Sequence, residues 1–150
     1  MSSSSLPEGG QGTPDRLQLL EDKLDLQELC VRYGRLLDAG RLEEWASLFT
    51  EDGVLDLGPF GRPEGRAALV ATMRTILAAA PATTHVIGAP TVRVDVDEAT
   101  GECNWVALQP GSEGPVVARA GRHRDRYRRT ADGWRIVERR GFQDLPLAGG

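Results

Sequence analysis

Between Arg16 and Asp38 the apolar residues Leu26, Leu29, Cys30, Tyr33, Leu36 and Leu37 recur three and four positions apart, which predicts a long helix with one apolar face. Gly40, just beyond, is a C-terminal stop signal. Arg41 to Thr50 carries Leu42, Trp45, Leu48 and Phe49 on one side and reads as a second, short helix ended by Glu51-Asp52-Gly53. Val54 to Leu57 reads as a short strand. Gly58 to Gly65 holds three glycines and two prolines and is a loop. Arg66 to Ala79 returns to helical spacing with Leu69, Val70, Met73, Ile76 and Leu77.

From Thr83 the period changes to two. Thr84–Asp97, Glu102–Gln109, Pro115–Thr130 and Gly133–Phe142 read as strands separated by short turns, which implies antiparallel neighbours. Helices first and a meander of long strands afterwards is the segregated α+β pattern, with helices covering one face of a curved sheet and a cavity between the layers.

At 150 residues the chain is one domain long. Residues 1–15, rich in Ser, Gly and Pro, read as a disordered tail, 16–143 as the domain and 144–150 as a second tail. Hydrophobic content of 40% with 27% charged residues is that of a soluble protein, and no apolar run reaches membrane-spanning length. With no secretion signal and only Cys30 and Cys103, which lack disulfide or metal spacing, a cytoplasmic location with reduced, buried thiols is expected. The net charge of −4 is uneven: Arg119 to Arg140 carries nine arginines against Asp125, Asp132 and Glu138. That basic stretch lacks the interleaved aromatics that stack bases, so no nucleic-acid partner is expected.

The candidate chemistry lies within this stretch. Alternation over Ala120–Arg129 places His123, Asp125 and Tyr127 on one face and Arg122, Arg124, Arg126 and Arg128 on the other. Arginines are comfortable in water or against carboxylates, so the titratable face looks inward. From the residues alone, Asp125 is either an acid–base group or an ion-pair partner of an arginine, and Tyr127 either a pocket wall or core. Asp38, in the last turn of the first helix, faces the negative end of its dipole and calls for a cationic or hydrogen-bonding partner, a role that imidazole suits. The two histidines lack His-Glu-x-x-His spacing, and no metal site is expected.

Five segments in order carry a family resemblance: a helix ending Leu-Leu-Asp-Ala-Gly, a Trp-x-x-Leu-Phe-Thr-Glu-Asp-Gly segment, a Thr-Thr-His strand, a Gly-Arg-His-Arg-Asp strand and a closing Asp-Gly-Trp-Arg-Ile strand. Over roughly Asp22 to Phe142 the chain resembles the nuclear transport factor 2-like superfamily, in its SnoaL-like and scytalone dehydratase-like branch. The resemblance implies a cone-shaped, cystatin-like α+β barrel, with a curved antiparallel sheet wrapped around three N-terminal helices. It also implies one deep pocket, a homodimer, and cofactor-free acid–base chemistry on a small hydrophobic carbonyl substrate. Asp38, His85 and His123 match positions of the dehydratases; Asp125 matches the acid–base aspartate of the SnoaL-like cyclases. Leu37 and Leu55 or Leu57 stand where the dehydratases carry tyrosines.

These considerations lead to the expectation of a dehydratase or isomerase acting on a hydroxy-ketone of polyketide or aromatic type. His85, oriented by Asp38, is the expected base. His123, tuned by Asp125, is the expected acid or carbonyl-polarising group, and the two histidines could exchange these roles. Tyr33, Leu57, Met73, Trp105 and Tyr127 are the expected pocket walls. The alternatives are an aldol cyclase that uses Asp125 and a non-catalytic ligand-binding or dimerisation module.

Overall fold

The computed structural model describes residues 13–145, which form α1 (Thr13–Asp38), α2 (Leu42–Ala46), β1 (Phe49–Asp56), a 3₁₀ turn (Gly58–Phe60), α3 (Arg66–Ala79), β2 (Thr84–Ile87), β3 (Thr91–Asp95), β4 (Glu98–Gly111), β5 (Gly114–Thr130) and β6 (Gly133–Leu145). Most of the expected tail residues lie outside the described ones, although Thr13–Asp15 belong to α1 and Asp144–Leu145 to β6. The strands make one curved, unclosed sheet in the order β1-β6-β5-β4-β2, with β3 also on β4. The chain is thus an α+β protein, with its helices ahead of its longest strands. No helix among the described residues is long and apolar enough to cross a membrane.

α1 ends where its sequence stops it. Gly40 takes φ +68°, its N–H donates to the Leu37 carbonyl, and the Arg41 N–H reaches back to the Leu36 carbonyl. This is a Schellman closure, which satisfies two carbonyls that the helix leaves open and places Asp38 in its final turn. α2 is shorter than expected, because Phe49 and Thr50 join β1. β1 runs parallel to β6, with Phe49 opposite Ile136, and both residues are fully buried. The expected single strand over Thr84–Asp97 is two strands, broken at Gly88-Ala89-Pro90. The break fits the chemistry of Pro90, which has no N–H to offer a ladder.

The core lies between the helices and the inner face of the sheet. Tyr33 from α1, Trp45 from α2 and Phe49 from β1 pack with ring centroids 5.3–6.2 Å apart. Leu26, Leu29, Leu69, Met73 and Ile136 surround them. Burying each such side chain contributes about 1.5–3 kcal/mol, so the layered arrangement follows from the periodicities.

In the N-terminal half of α1, buried Asp22 accepts hydrogen bonds from both Nη atoms of Arg129 (2.8 and 2.9 Å) and from the Trp134 indole (3.0 Å). Arg129 also binds Asp97 and the Val96 carbonyl in the β3–β4 turn. One arginine therefore ties that half of the helix to a distant hairpin.

Candidate active site

The closest polar contact between the helical layer and the sheet is at the end of α1. Asp38 Oδ2 accepts the backbone N–H of His85 at 2.7 Å, and Oδ1 lies 2.5 Å from His85 Nδ1. Such a contact to a carboxylate puts the proton on Nδ1 and leaves Nε2 with its lone pair. The two side chains keep only 20% and 19% exposure. Gly34, one turn before Asp38, allows the approach. A Cβ there would stand 2.9 Å from Ile87 Cγ1 and 3.7 Å from His85 Cβ, so any larger residue would push β2 away from α1.

His123 projects inward from β5, as alternation predicts, and is 8% exposed. Its ring stacks on Trp105 (centroids 5.8 Å apart, planes at 25°) and meets Tyr33 edge-on at 5.7 Å. Across the strand pair it faces Cys103, whose Sγ is 4.0 Å from Nδ1. Burial, reinforced by the charges of Arg139 and His85, holds the His123 pKa well below that of an ordinary imidazole. It is therefore neutral at pH 7.

Asp125 and Tyr127 also point inward but belong to a different set of contacts. Arg139, on β6, donates to Asp125 Oδ1 (2.8 Å) and Oδ2 (2.7 Å), with both side chains fully buried. The Tyr127 hydroxyl donates to Oδ2 at 2.5 Å. The Asp125 carboxylate is thus saturated by a buried cation and a phenol. Asp125 is therefore the ion-pair partner of an arginine, with no hydrogen bond to His123 among the described residues. Tyr127 and Met73 belong to the buried core, and Leu57 packs against it.

Arg139 also donates to Cys30 Sγ (3.3 Å) and lies 4.2 Å over the Tyr33 ring. The neighbouring Cys103 is the largest influence on Cys30; with the Arg139 charge it pulls that thiol down to about 6 against the opposing effect of burial. Cys103 is pushed up in return, by Cys30 and by burial. Ligand atoms of Cys30, Cys103 and Asp125 lie within 4.8 Å of one another, but a guanidinium already binds two of the three residues. A metal ion does not fit beside that fixed positive charge.

The rings of Tyr33 and Trp105 flank His123. A concavity of about 860 Å³ is lined by Thr91, Arg93, Glu102 and Arg124 and, from the interior set, by Cys103 and Asp125; neither histidine lines it. Sequence reading missed Arg139, Cys103 and Gly34. The strand pairing alone could have placed Cys103 beside His123.

The SnoaL-like domain family model matches residues 18–140. The chain belongs to the SnoaL-like family. This SnoaL-like protein is 30% identical over 123 residues to the uncharacterised protein Rv2910c of Mycobacterium tuberculosis, which covers 80% of this chain and 84% of the relative. Among solved structures it resembles an NTF2-like protein with a cystatin-like fold from Novosphingobium aromaticivorans (35% identity, 94% of each chain, TM-score 0.79). It also resembles Rv3472, a Mycobacterium tuberculosis protein of unknown function (30% identity, 90% of this chain and 78% of the other, TM-score 0.80). These likenesses carry the architecture of the SnoaL-like domain; its chemistry has to be argued from the side chains.

Proposed function

We propose that this SnoaL-like protein is a cofactor-independent dehydratase or isomerase acting on a small hydrophobic hydroxy-ketone of polyketide or aromatic type. The observation that carries the reading is the contact between Asp38 and His85 Nδ1, which orients the imidazole and leaves Nε2 as a base. Nε2 takes a proton from the carbon next to the carbonyl, and Asp38 stabilises the imidazolium that results. His123, neutral because it is buried, donates an N–H to the carbonyl oxygen as negative charge develops there. The indole N–H of Trp105, buried and without a hydrogen-bond partner among the described residues, is a second donor suited to a substrate oxygen. In a dehydratase the imidazolium of His85 then returns its proton to the departing hydroxide, so one water leaves and the enzyme is regenerated. In an isomerase it returns the proton to another carbon. Tyr33 and Trp105 supply the apolar contacts for a ring or a short polyketide.

Turnover of a panel of small aromatic hydroxy-ketones tests the proposal, with water loss followed by mass and by ultraviolet absorbance. Removing an acid–base group typically costs about 10²- to 10⁴-fold in rate, so His85→Ala and His123→Ala should each lose that much while remaining folded. Unchanged turnover in both variants would eliminate the mechanism. A ligand that binds and is recovered unaltered would favour a non-catalytic module.

A further inference from the structure

Both cysteines of the chain are free and buried, and the acid–base chemistry above uses neither. Cys30 comes from the core face of α1 and Cys103 from the inner face of β4, yet their sulfurs lie within 4.8 Å of each other. A disulfide needs about 2 Å, so side-chain rotation has a gap of roughly 3 Å or less to close. The two sulfurs are unequal. Arg139 Nη2 donates to Cys30 Sγ at 3.3 Å, and Arg139 Nη1 is buried with no hydrogen-bond partner among the described residues, which leaves the guanidinium donor capacity for negative charge on that sulfur. The neighbouring Cys103, with the Arg139 charge, outweighs burial and Asp125 and holds Cys30 at about 6, so it is mainly thiolate at pH 7. Cys103 stays a thiol, because Cys30 and burial push it the other way. Its Sγ is 4.0 Å from Nδ1 of neutral His123, which can take its proton. Cys103 also lines the concavity of about 860 Å³, which gives a small molecule a route to the pair.

An attacking thiolate, a second thiol, a base beside it and an opening are the parts of a peroxide-reactive dithiol. We propose that Cys30 and Cys103 are such a dithiol, which hydrogen peroxide oxidises to an intrachain disulfide that staples α1 to β4 beside His123. The Cys30 sulfur attacks one peroxide oxygen, the O–O bond breaks, and the departing hydroxide takes a proton from solvent to leave as water. Cys30 is then a sulfenic acid. Cys103 passes its proton to His123 and attacks the Cys30 sulfur. The S–S bond forms, the S–O bond breaks, and the second hydroxide leaves as water with the proton that His123 held. Two electrons pass from the thiols to the peroxide, and a dithiol reductant reverses the change by exchange. The sulfur chemistry is independent of the dehydratase reading and is read by mass rather than by turnover.

The test treats the folded full chain at pH 7 with hydrogen peroxide, removes the excess with catalase, unfolds the chain in urea with iodoacetamide and weighs it intact. The untreated chain should take two carbamidomethyl groups. The treated chain should take none and be lighter by two hydrogens, its digest should link Cys30 to Cys103, and dithiothreitol should restore both sites. Cys103→Ser should stop at a Cys30 sulfenic acid that dimedone captures, and Cys30→Ser should slow the loss of Cys103 alkylation by about tenfold or more. The wild-type digest decides the matter if either variant fails to fold. Oxidation should also move the imidazole ¹⁵N resonances of His123. A treated wild type that still takes two groups overturns the proposal, as does a disulfide that joins two chains. Dimedone on Cys103 in the Cys30→Ser chain, at the rate of Cys30 in its counterpart, overturns the assignment of Cys30 as the attacking sulfur, and an unmoved His123 overturns the placement of the staple beside it.

Discussion

Replacing Arg139 by Met should be among the most damaging single changes in this protein. Arg139 and Asp125 both have 0% side-chain exposure, and the guanidinium donates at 2.8 and 2.7 Å to the two carboxylate oxygens. Arg139→Met leaves the carboxylate inside with the Tyr127 hydroxyl as its remaining side-chain donor. An uncompensated buried charge costs about 3–5 kcal/mol, a large part of the ~5–15 kcal/mol that holds a domain together. The corresponding fall in Tm is about 10–20 °C. Asp125→Leu should cost a similar amount, because it leaves the guanidinium with only Cys30 Sγ and the face of Tyr33. The double variant removes both charges together and should lie within about 1–2 kcal/mol of wild type, since an apolar pair of similar volume commonly replaces a buried ion pair at little cost. Urea unfolding at pH 7, followed by tryptophan fluorescence and extrapolated with a common slope, measures all four proteins. The cycle should show a coupling of about 3 kcal/mol or more. Additive losses would refute the idea that the pair is a closed unit, and single losses below about 1 kcal/mol would refute its burial.

Three further outcomes follow from particular contacts. The bond from Arg129 is the main cause that lowers the Asp22 pKa below the ordinary carboxylate value, so the stability it contributes is complete above about pH 4 and is lost as pH falls through the folded-state value. Asp22→Asn should therefore cost about 1–3 kcal/mol at pH 7 and flatten the decline below about pH 4, as read from urea midpoints across the acid range. Gly34→Ala should cost about 1–3 kcal/mol by forcing Ile87 and β2 outward, and Ile87→Val in the same chain should recover part of that loss in thermal unfolding. Val96 sits in the β3–β4 turn at φ +52°, a region costly for a β-branched residue, so Val96→Asn should raise stability by about 0.5–1 kcal/mol in the same assay.

Local periodicity made much of this molecule legible. α3 has the bounds its apolar spacing predicts, and His123, Asp125 and Tyr127 face inward because their arginine neighbours cannot. What stayed hidden depends on pairing between distant segments. Leu48 and Phe49 continue the helical spacing of α2, and only the parallel partner β6 draws Phe49 into a strand. Arg139 is a sharper case. Strict alternation from Trp134 and Ile136 would bring Glu138 inward and send Arg139 to solvent. A register shift opposite Arg126 and Tyr127 inserts one residue into β6 and reverses the faces beyond it. The sequence carries no local mark of that bulge, so Asp125 looked free to serve His123 when its partner was the next arginine across the sheet. Asp38 and His85, 47 positions apart, could be joined only through the family resemblance. The absence of a side chain at Gly34, which brings them together, has no pattern to detect.

The central claim is that an oriented base and a neutral imidazole share the interior, and imidazole ¹⁵N NMR tests it directly because the chain has only two histidines. With the neutral rings observed near pH 8, His85 should carry its proton on Nδ1, and Asp38→Asn should disturb that preference. His123 should stay neutral as the pH is lowered well past the midpoint of an ordinary histidine. A His85 ring protonated on Nε2, or a His123 ring that titrates like a free imidazole, would contradict the account.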